Sequence, residues 1–493
     1  MESLSDTLWD VVISGTGLQQ SLLALAISRS DKKILHIDPN EFYGGAEAAF
    51  SLQDAESWVA RVSAASGGLF KSASIQTPEG TTGLTSSRAY SLALAPKLIH
   101  ARSALLSQLV SSRAYRQVEF LAVGSFYIFK PSQDSPQQAT LARIPSTREE
   151  VFLTTAVSTK GKRLLMKFLK FVLDYESPSQ LEIWQSHADA PLTDLLQQEF
   201  KMDAELQTYI VTLTLSLDGK TSTRDGLAVI RRHLSSMGVY GPGFAIIYPK
   251  WGGLSEIAQV SCRAGAVGGT VYMLGTDIKE METAENEIKL QLTSGDTVKT
   301  RMLVRADDSP SDGTGISRLV AVISSPLNSL FQAVVEGAPR PAVAVIAFPA
   351  GSLSTAAGKA SQCPVYLSAH SSETGECPVG QSVLYLTTLS TPDAKEVLQQ
   401  ALDAFVGVTS DGHPTSQVLY QLQYEQLVGA DTFGVEGPVF TLPGLSSSLS
   451  FSDSALEPVH EAWRKVMGDA AVDEEYLIFT DREGAMDDDD VYE

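Results

Sequence analysis

The turn Gly15-Thr16-Gly17-Leu18-Gln19-Gln20 is the first place in this sequence where residue types and spacing could do chemistry. It lies between the apolar run Leu8 to Ile13 and the Leu- and Ala-rich run Leu18 to Ser28. In that setting the first glycine permits a tight turn, and the second lets a pyrophosphate approach a helix N-terminus. Gln20 stands where a third glycine would let helix and strand pack closely, which weakens the cofactor reading. Asp38 follows Gly15 by 23 residues at the end of Ile34 to Ile37, the place of an acid that holds a ribose hydroxyl. Gly44-Gly45 then stands where a glycine pair lies beneath a dinucleotide. A flavin also needs a hold on its ribityl chain, and the C-terminal part has no Gly-Asp in a helix-opening context. Pro443-Gly444-Leu445 is what stands near that place. The expectation is a vestigial dinucleotide loop in a flavoprotein-like framework, with no cofactor bound.

Other catalytic templates are absent: there is no Gly-x-Ser-x-Gly elbow, no Walker loop and no His-Glu-x-x-His. No two of the seven histidines share a helical face at ligand spacing. Cys262, Cys363 and Cys377 have no metal-ligand spacing and read as reduced thiols. Neither a catalytic residue nor a metal site is assigned.

The elements that must position the glycine turn are legible around it. Strand, turn, helix and second strand form a βαβ unit over residues 8 to 38, which implies a parallel sheet. Pro96 to Val110 places Leu98, Leu105, Leu106 and Leu109 on one helical face, and Phe120 to Phe129 alternates like a strand. From Arg148 to Leu217 the texture becomes consecutive amphipathic helices, with Leu164, Leu165, Phe168, Leu169 and Val172 on one stripe. After Gly238 strands return: Thr270 to Leu274, a hairpin through Ser294-Gly295-Asp296, then Leu319 to Ile323, Val343 to Phe348, Val383 to Leu389 and Gln417 to Tyr424. The fold expected is α/β, a flavoprotein-like (FAD/NAD(P)-binding Rossmann-type) sheet domain with an inserted all-helical domain. Its parts are 1–145 (sheet domain, first part), 146–220 (helical insert), 221–480 (sheet domain, remainder) and 481–493 (an acidic disordered tail).

A formal net charge of −21 repels a phosphate backbone and an anionic membrane alike, which disfavours a nucleic-acid binder or a basic-patch membrane protein and leaves a basic protein partner open. No run reaches the roughly 18 apolar residues of a membrane span. Met1 to Asp6 carries two acids and no base, unlike a secretory signal or transit peptide, so a cytoplasmic location is expected.

Asp10-Val-Val-Ile-Ser-Gly15-Thr-Gly17-Leu with Ile34-Leu-His-Ile-Asp38-Pro-Asn-Glu-Phe-Tyr43-Gly44-Gly45 resembles the opening of the Rab GDP-dissociation inhibitor and Rab escort protein superfamily. Collinear blocks continue the resemblance: Leu94-Ala-Pro-Lys97-Leu, Val123-Gly-Ser-Phe-Tyr127, Ile144-Pro-Ser-Thr147, and Tyr248-Pro-Lys-Trp-Gly-Gly-Leu-Ser-Glu256 through Gly268-Gly269-Thr-Val-Tyr272. It covers the first 300 residues or so and is diffuse beyond them. It implies a non-catalytic protein whose sheet domain grips GDP-bound Rab GTPases and whose helical domain shelters geranylgeranyl groups. Carried over by motif, the Rab-binding platform is Tyr43, Glu256, Arg263 and Met273. Val271 replaces a common threonine there, and the glycine pair sits one place early.

Within the superfamily, escort proteins dock onto the Rab geranylgeranyl transferase heterodimer through an aromatic residue followed 11 positions later by Arg. Phe152 and Arg163 match that pattern, whereas recycling inhibitors have a small residue at the aromatic site. The longest insertions of animal escort proteins are missing, which points to the fungal type. The resemblance therefore implies an escort that presents Rabs for prenylation and delivers them transiently to membranes. A recycling inhibitor and an FAD-dependent oxidoreductase are the alternatives.

Overall fold

The computed structural model describes residues 4–480 except 66, 79, 81, 133–138, 146–150, 152–153, 155–156, 285–286, 307–314, 334–335, 410–415 and 430–431. Two large sheets and a helical unit carry the fold. In the first sheet the strand order is Val271–Met273, Ile34–Ile37, Leu8–Ser14, Thr297–Ala306, Ile288–Leu292 and Ile278–Thr283. Val439–Leu442 also pairs with Thr297–Ala306. The first four strands are parallel, as the βαβ pattern requires, and the hairpin at its edge is antiparallel. Leu290 stands opposite Val298 across the turn, and Gly295 takes the φ of +94° that this turn needs. Helix Leu18–Ile27 packs between helices Leu254–Gly268 and Glu457–Met467 on one face. Its buried side is almost wholly Leu, Ala and Ile, which accounts for the weak amphipathicity of that stretch.

The second sheet runs Phe70–Gln76, Val418–Gln426, Ile316–Ile323, Ser382–Leu389, Val365–Ser371, Val343–Phe348, Phe120–Lys130, Ile246–Pro249 and Ile99–His100, with Thr140–Arg143 beside Phe120–Lys130. Central strands such as Ile316–Ile323 are buried on both faces. Such strands read as unbroken apolar runs rather than alternations.

The helices Thr159–Leu173, Pro178–Trp184, Leu192–Gln198 and Ala204–Leu213 form the helical unit, and Thr223–Ser236 packs against the first, third and fourth of them. The helical layer thus runs past residue 220, where the sequence pattern suggested a close. Its core is the expected stripe: Leu165, Phe168 and Val172 are buried, with Phe168 edge-on to Phe200. One expectation fails in detail. Pro96 to Val110 is not one helix, because Ile99–His100 pairs as a strand with Ile246–Ile247, and the helix Ala104–Ser111 begins only where Ser103 caps it by accepting from the Leu105 N–H. The tail 481–493 lies outside the described residues.

Candidate functional site

The glycine turn folds as a dinucleotide loop would, but its anion-binding position is filled from within the chain. Gly17 caps helix Leu18–Ile27 and has no side chain to satisfy the first free N–H groups. The Glu47 carboxylate supplies what is missing: its Oε2 accepts from the Leu18 N–H at 2.8 Å. A helix N-terminus favours negative charge, so this carboxylate sits where a pyrophosphate would be drawn. Gln20 folds back over the turn, such that a Cβ on Gly17 would lie 2.9 Å from its Oε1.

Asp38 is fully buried and turned inward. Its Oδ2 accepts from the Thr16 N–H (2.7 Å) and hydroxyl (2.6 Å), and its Oδ1 from the Asn40 N–H (2.7 Å) and amide (3.0 Å). Burial raises its pKa while these donors oppose the rise. Lys97, also buried, donates to the Ser446 and Ser448 carbonyls at 2.9 Å each, which fastens the segment after Pro443-Gly444-Leu445. Burial holds its ammonium down at about 8, against the pull of the Glu47 charge. These residues do not fit a dinucleotide: a carboxylate would face the pyrophosphate, and the ribose-binding acid has no free oxygen.

Beside this loop the structure brings together three of the four proposed platform residues. Tyr43, Glu256 and Arg263 come from the loop after Ile34–Ile37 and from helix Leu254–Gly268, whose residues 256 and 263 lie two turns apart on one face. The Tyr43 ring meets Tyr272 edge-on, centroids 6.4 Å apart. Burial raises the Tyr43 hydroxyl and the Glu256 carboxyl, and in both cases the Arg263 charge opposes the rise. Arg263 is exposed and makes a long hydrogen bond, 3.4 Å, to Gln117. Met273, next to Tyr272, is half-buried against the core of the first sheet, and its carbonyl accepts from the Asp38 N–H at 3.0 Å. Tyr43, Glu256 and Arg263 therefore form a partly exposed surface of one aromatic, one acid and one guanidinium, while Met273 ends the strand parallel to Ile34–Ile37, after which the Tyr43 loop begins.

A second feature was not legible in the sequence. An apolar cavity of about 660 Å³ lies between helices Thr159–Leu173 and Thr223–Ser236 and the strands Phe120–Lys130 and Ile246–Pro249. Met166, Leu169, Leu173, Leu234, Met237 and Phe244 are among its lining. Buried His233 also faces it, kept neutral because burial pushes its pKa down to about 4. Leu169 belongs to the stripe noted above, but the residues from the second helix and the strands gave no local signal.

Phe152 lies outside the described residues, though its neighbour Val151 is buried and lines the cavity. Arg163 is exposed on a helix that carries Lys160, Lys162, Lys167 and Lys170 and no acid. Among the described residues there is no group of three or more His, Cys, Asp or Glu able to hold a metal, and no helix long and apolar enough to cross a membrane.

A Rossmann-type sheet with a filled glycine turn and a helical insert over an apolar cavity defines a flavoprotein-like α/β protein. A family model described as "GDP dissociation inhibitor" matches residues 5–334, and the chain belongs to that family. A Saccharomyces cerevisiae protein named Rab proteins geranylgeranyltransferase component A is 30% identical over 478 residues, covering 87% of this chain and 76% of that one. The crystal structure of Rab GDI from Plasmodium falciparum aligns with a TM-score of 0.66 at 16% identity, over 93% of this chain and 98% of that one. An oxidoreductase from Methanosarcina mazei aligns with a TM-score of 0.57 at 10% identity, over 92% of this chain and 99% of that one, which extends the likeness of fold to enzymes.

Proposed function

We propose that this chain is a non-catalytic escort for Rab GTPases: it binds the GDP-bound Rab, presents it to Rab geranylgeranyl transferase and keeps the prenylated product in solution until membrane delivery. The observation that carries the reading is the apolar cavity between the helical unit and the sheet domain. Its volume is within the usual range for ligand sites, about 300–1,000 Å³. A geranylgeranyl chain has about twenty carbons, each CH₂ gaining about 0.8 kcal/mol on leaving water, so shelter in such a cavity offsets a large exposure cost. The Tyr43, Glu256, Arg263 and Met273 surface supports a protein contact, since an acid and a guanidinium can bond a switch segment while the aromatic and thioether supply adaptable apolar area. Exposed Arg163, on a helix whose charged residues are all basic, supports a charged contact with the transferase, in a chain whose overall charge is strongly negative. The action is set in the cytoplasm, where Rabs cycle.

The test is to mix the purified chain with the transferase heterodimer, an unprenylated Rab and geranylgeranyl diphosphate. Lipid transfer that depends on this chain is the expected result. Absence of transfer together with extraction of Rabs from membranes would replace the escort reading with that of a recycling inhibitor.

A further inference from the structure

Arg318 is a buried cation whose charge is unmatched. It lies on Ile316–Ile323, between Thr387 on one neighbouring strand and Tyr424 on the other, and only 2% of it is exposed. Nε donates to the Gln426 amide oxygen at 3.0 Å and Nη1 to the Thr387 hydroxyl at 3.3 Å, both neutral acceptors. Nη2 has no partner, and among the described residues no carboxylate pairs with this guanidinium. A guanidinium cannot shed its proton to escape burial, so an uncompensated one is strongly unfavourable.

A cavity of about 30 Å³ adjoins it, lined by Arg318, Ser368, His370 and Thr387 together with apolar groups such as Leu98 and Val345. The buried carboxylate of that neighbourhood, Glu376, is already engaged: Tyr248 donates to Oε1 at 2.8 Å, while His370 (2.7 Å) and Tyr385 (3.1 Å) occupy Oε2. Lys97, whose charge Glu47 offsets, is also near enough to feel the Arg318 charge, so Glu47 is committed elsewhere. The space exceeds the roughly 10–15 Å³ that one water needs and holds one small species, without room for phosphate or a carboxylate with its substituent. A water would satisfy the Nη2 hydrogen but leave the charge.

We propose that this cavity is a binding site for one small monovalent anion, chloride in the cell, held by Arg318 Nη2. A halide suits it because a single large, weakly hydrated sphere can accept from the guanidinium and the hydroxyls while lying against Leu98 and Val345. Leu215, from the end of the helical unit, and Leu449, from the C-terminal segment, close the same space. The anion therefore neutralises a charge at the seam of three chain segments, and its binding stabilises their junction.

The experiment uses the whole protein crystallised in bromide, and thermal unfolding in sodium bromide or chloride against sodium gluconate at equal ionic strength. Expected are a bromide anomalous peak within about 3.5 Å of Arg318 Nη2 and an unfolding midpoint that rises with the logarithm of halide concentration. Arg318→Met should abolish both. Should that variant fail to fold, the wild-type peak and halide series decide by themselves. Density that fits only water, with a midpoint indifferent to halide, overturns the proposal, and so does a halide slope that persists in Arg318→Met.

Discussion

The Glu47 carboxylate accepts a hydrogen bond from the Leu18 N–H at 2.8 Å, across 29 residues of sequence, and so fills the anion-binding end of the helix behind the glycine turn. A protein with this contact has its own acid where a dinucleotide phosphate would sit. The purified chain should accordingly show no flavin absorption and should not quench the fluorescence of added FAD. A stoichiometric yellow band would overturn that statement.

The same contact has a structural value. Glu47→Ala should lower stability by about 2–4 kcal/mol, since it orphans the Leu18 N–H and removes the charge that offsets buried Lys97. Glu47→Gln keeps an acceptor oxygen and should cost less. Denaturant unfolding of both variants checks the order, and equal losses would show that the hydrogen bond contributes little.

On the platform, Tyr43→Ala and Arg263→Ala should each weaken GDP-bound Rab binding by about 1–3 kcal/mol, the range of interface anchors, without unfolding the protein. Arg263 is exposed and Tyr43 is only partly buried, at the edge of the core against Tyr272, so stability has little to lose. Titration with a labelled Rab decides, and two folded variants of unchanged affinity would remove the assignment.

For the cavity, Met166→Trp should occupy space lined by Met166, Leu169 and Leu234 and so displace a lipid. Affinity for geranylgeranylated Rab should fall tenfold or more, about 1.4 kcal/mol, with unprenylated Rab unaffected. An equal effect on both Rab forms would place the lipid elsewhere.

The proposed docking role of Phe152 and Arg163 is what a mutation can use to tell escort from inhibitor. Phe152→Ala should cost on the order of 2 kcal/mol or more in transferase affinity while leaving Rab binding nearly intact. A core phenylalanine would instead lose about 3–5 kcal/mol of stability and impair every activity together. Transferase affinity, Rab affinity and unfolding, measured on the one variant, distinguish these outcomes.

Acid should destabilise the fold through its buried histidines. His36 and His233 are held near 4 by burial, against an unfolded value of 6.5. Below pH 6.5 the unfolded chain binds protons that the native state refuses, so stability present above 6.5 is lost down to about pH 4, up to about 3 kcal/mol per histidine. His233→Leu should flatten part of that slope in unfolding experiments run from pH 7 to 4.5.

Much of the fold was legible where structure follows from neighbours in the chain. Leu8–Ser14, its turn and helix Leu18–Ile27 follow from an apolar run, two glycines and a Leu/Ala repeat, and the hairpin around Gly295 from alternation and a turn residue. Strand Phe70–Gln76 passed unseen because it is a polar edge strand, Phe-Lys-Ser-Ala-Ser-Ile-Gln, defined by pairing with Val418–Gln426. Strand Ile99–His100 is two residues long, and only its pairing with Ile246–Ile247 takes it out of the apparent helix.

The sequence by itself determined the βαβ unit, the helical texture from Arg148 to Leu217, the weakening of the cofactor loop at Gln20 and the collinear blocks that mark the family. Backbone sterics and hydrophobic period act over a few residues, so they can be read from a few residues. Only the tertiary structure decided that Glu47 closes the helix end, that Tyr43 meets Tyr272, that two helices and two strands enclose an apolar cavity, and that Arg318 is buried without a counter-ion. Each of these depends on sheet order, such as Val271–Met273 lying parallel to Ile34–Ile37. Strand partners chosen across more than two hundred residues set which side chains share a space, and no local pattern encodes that choice.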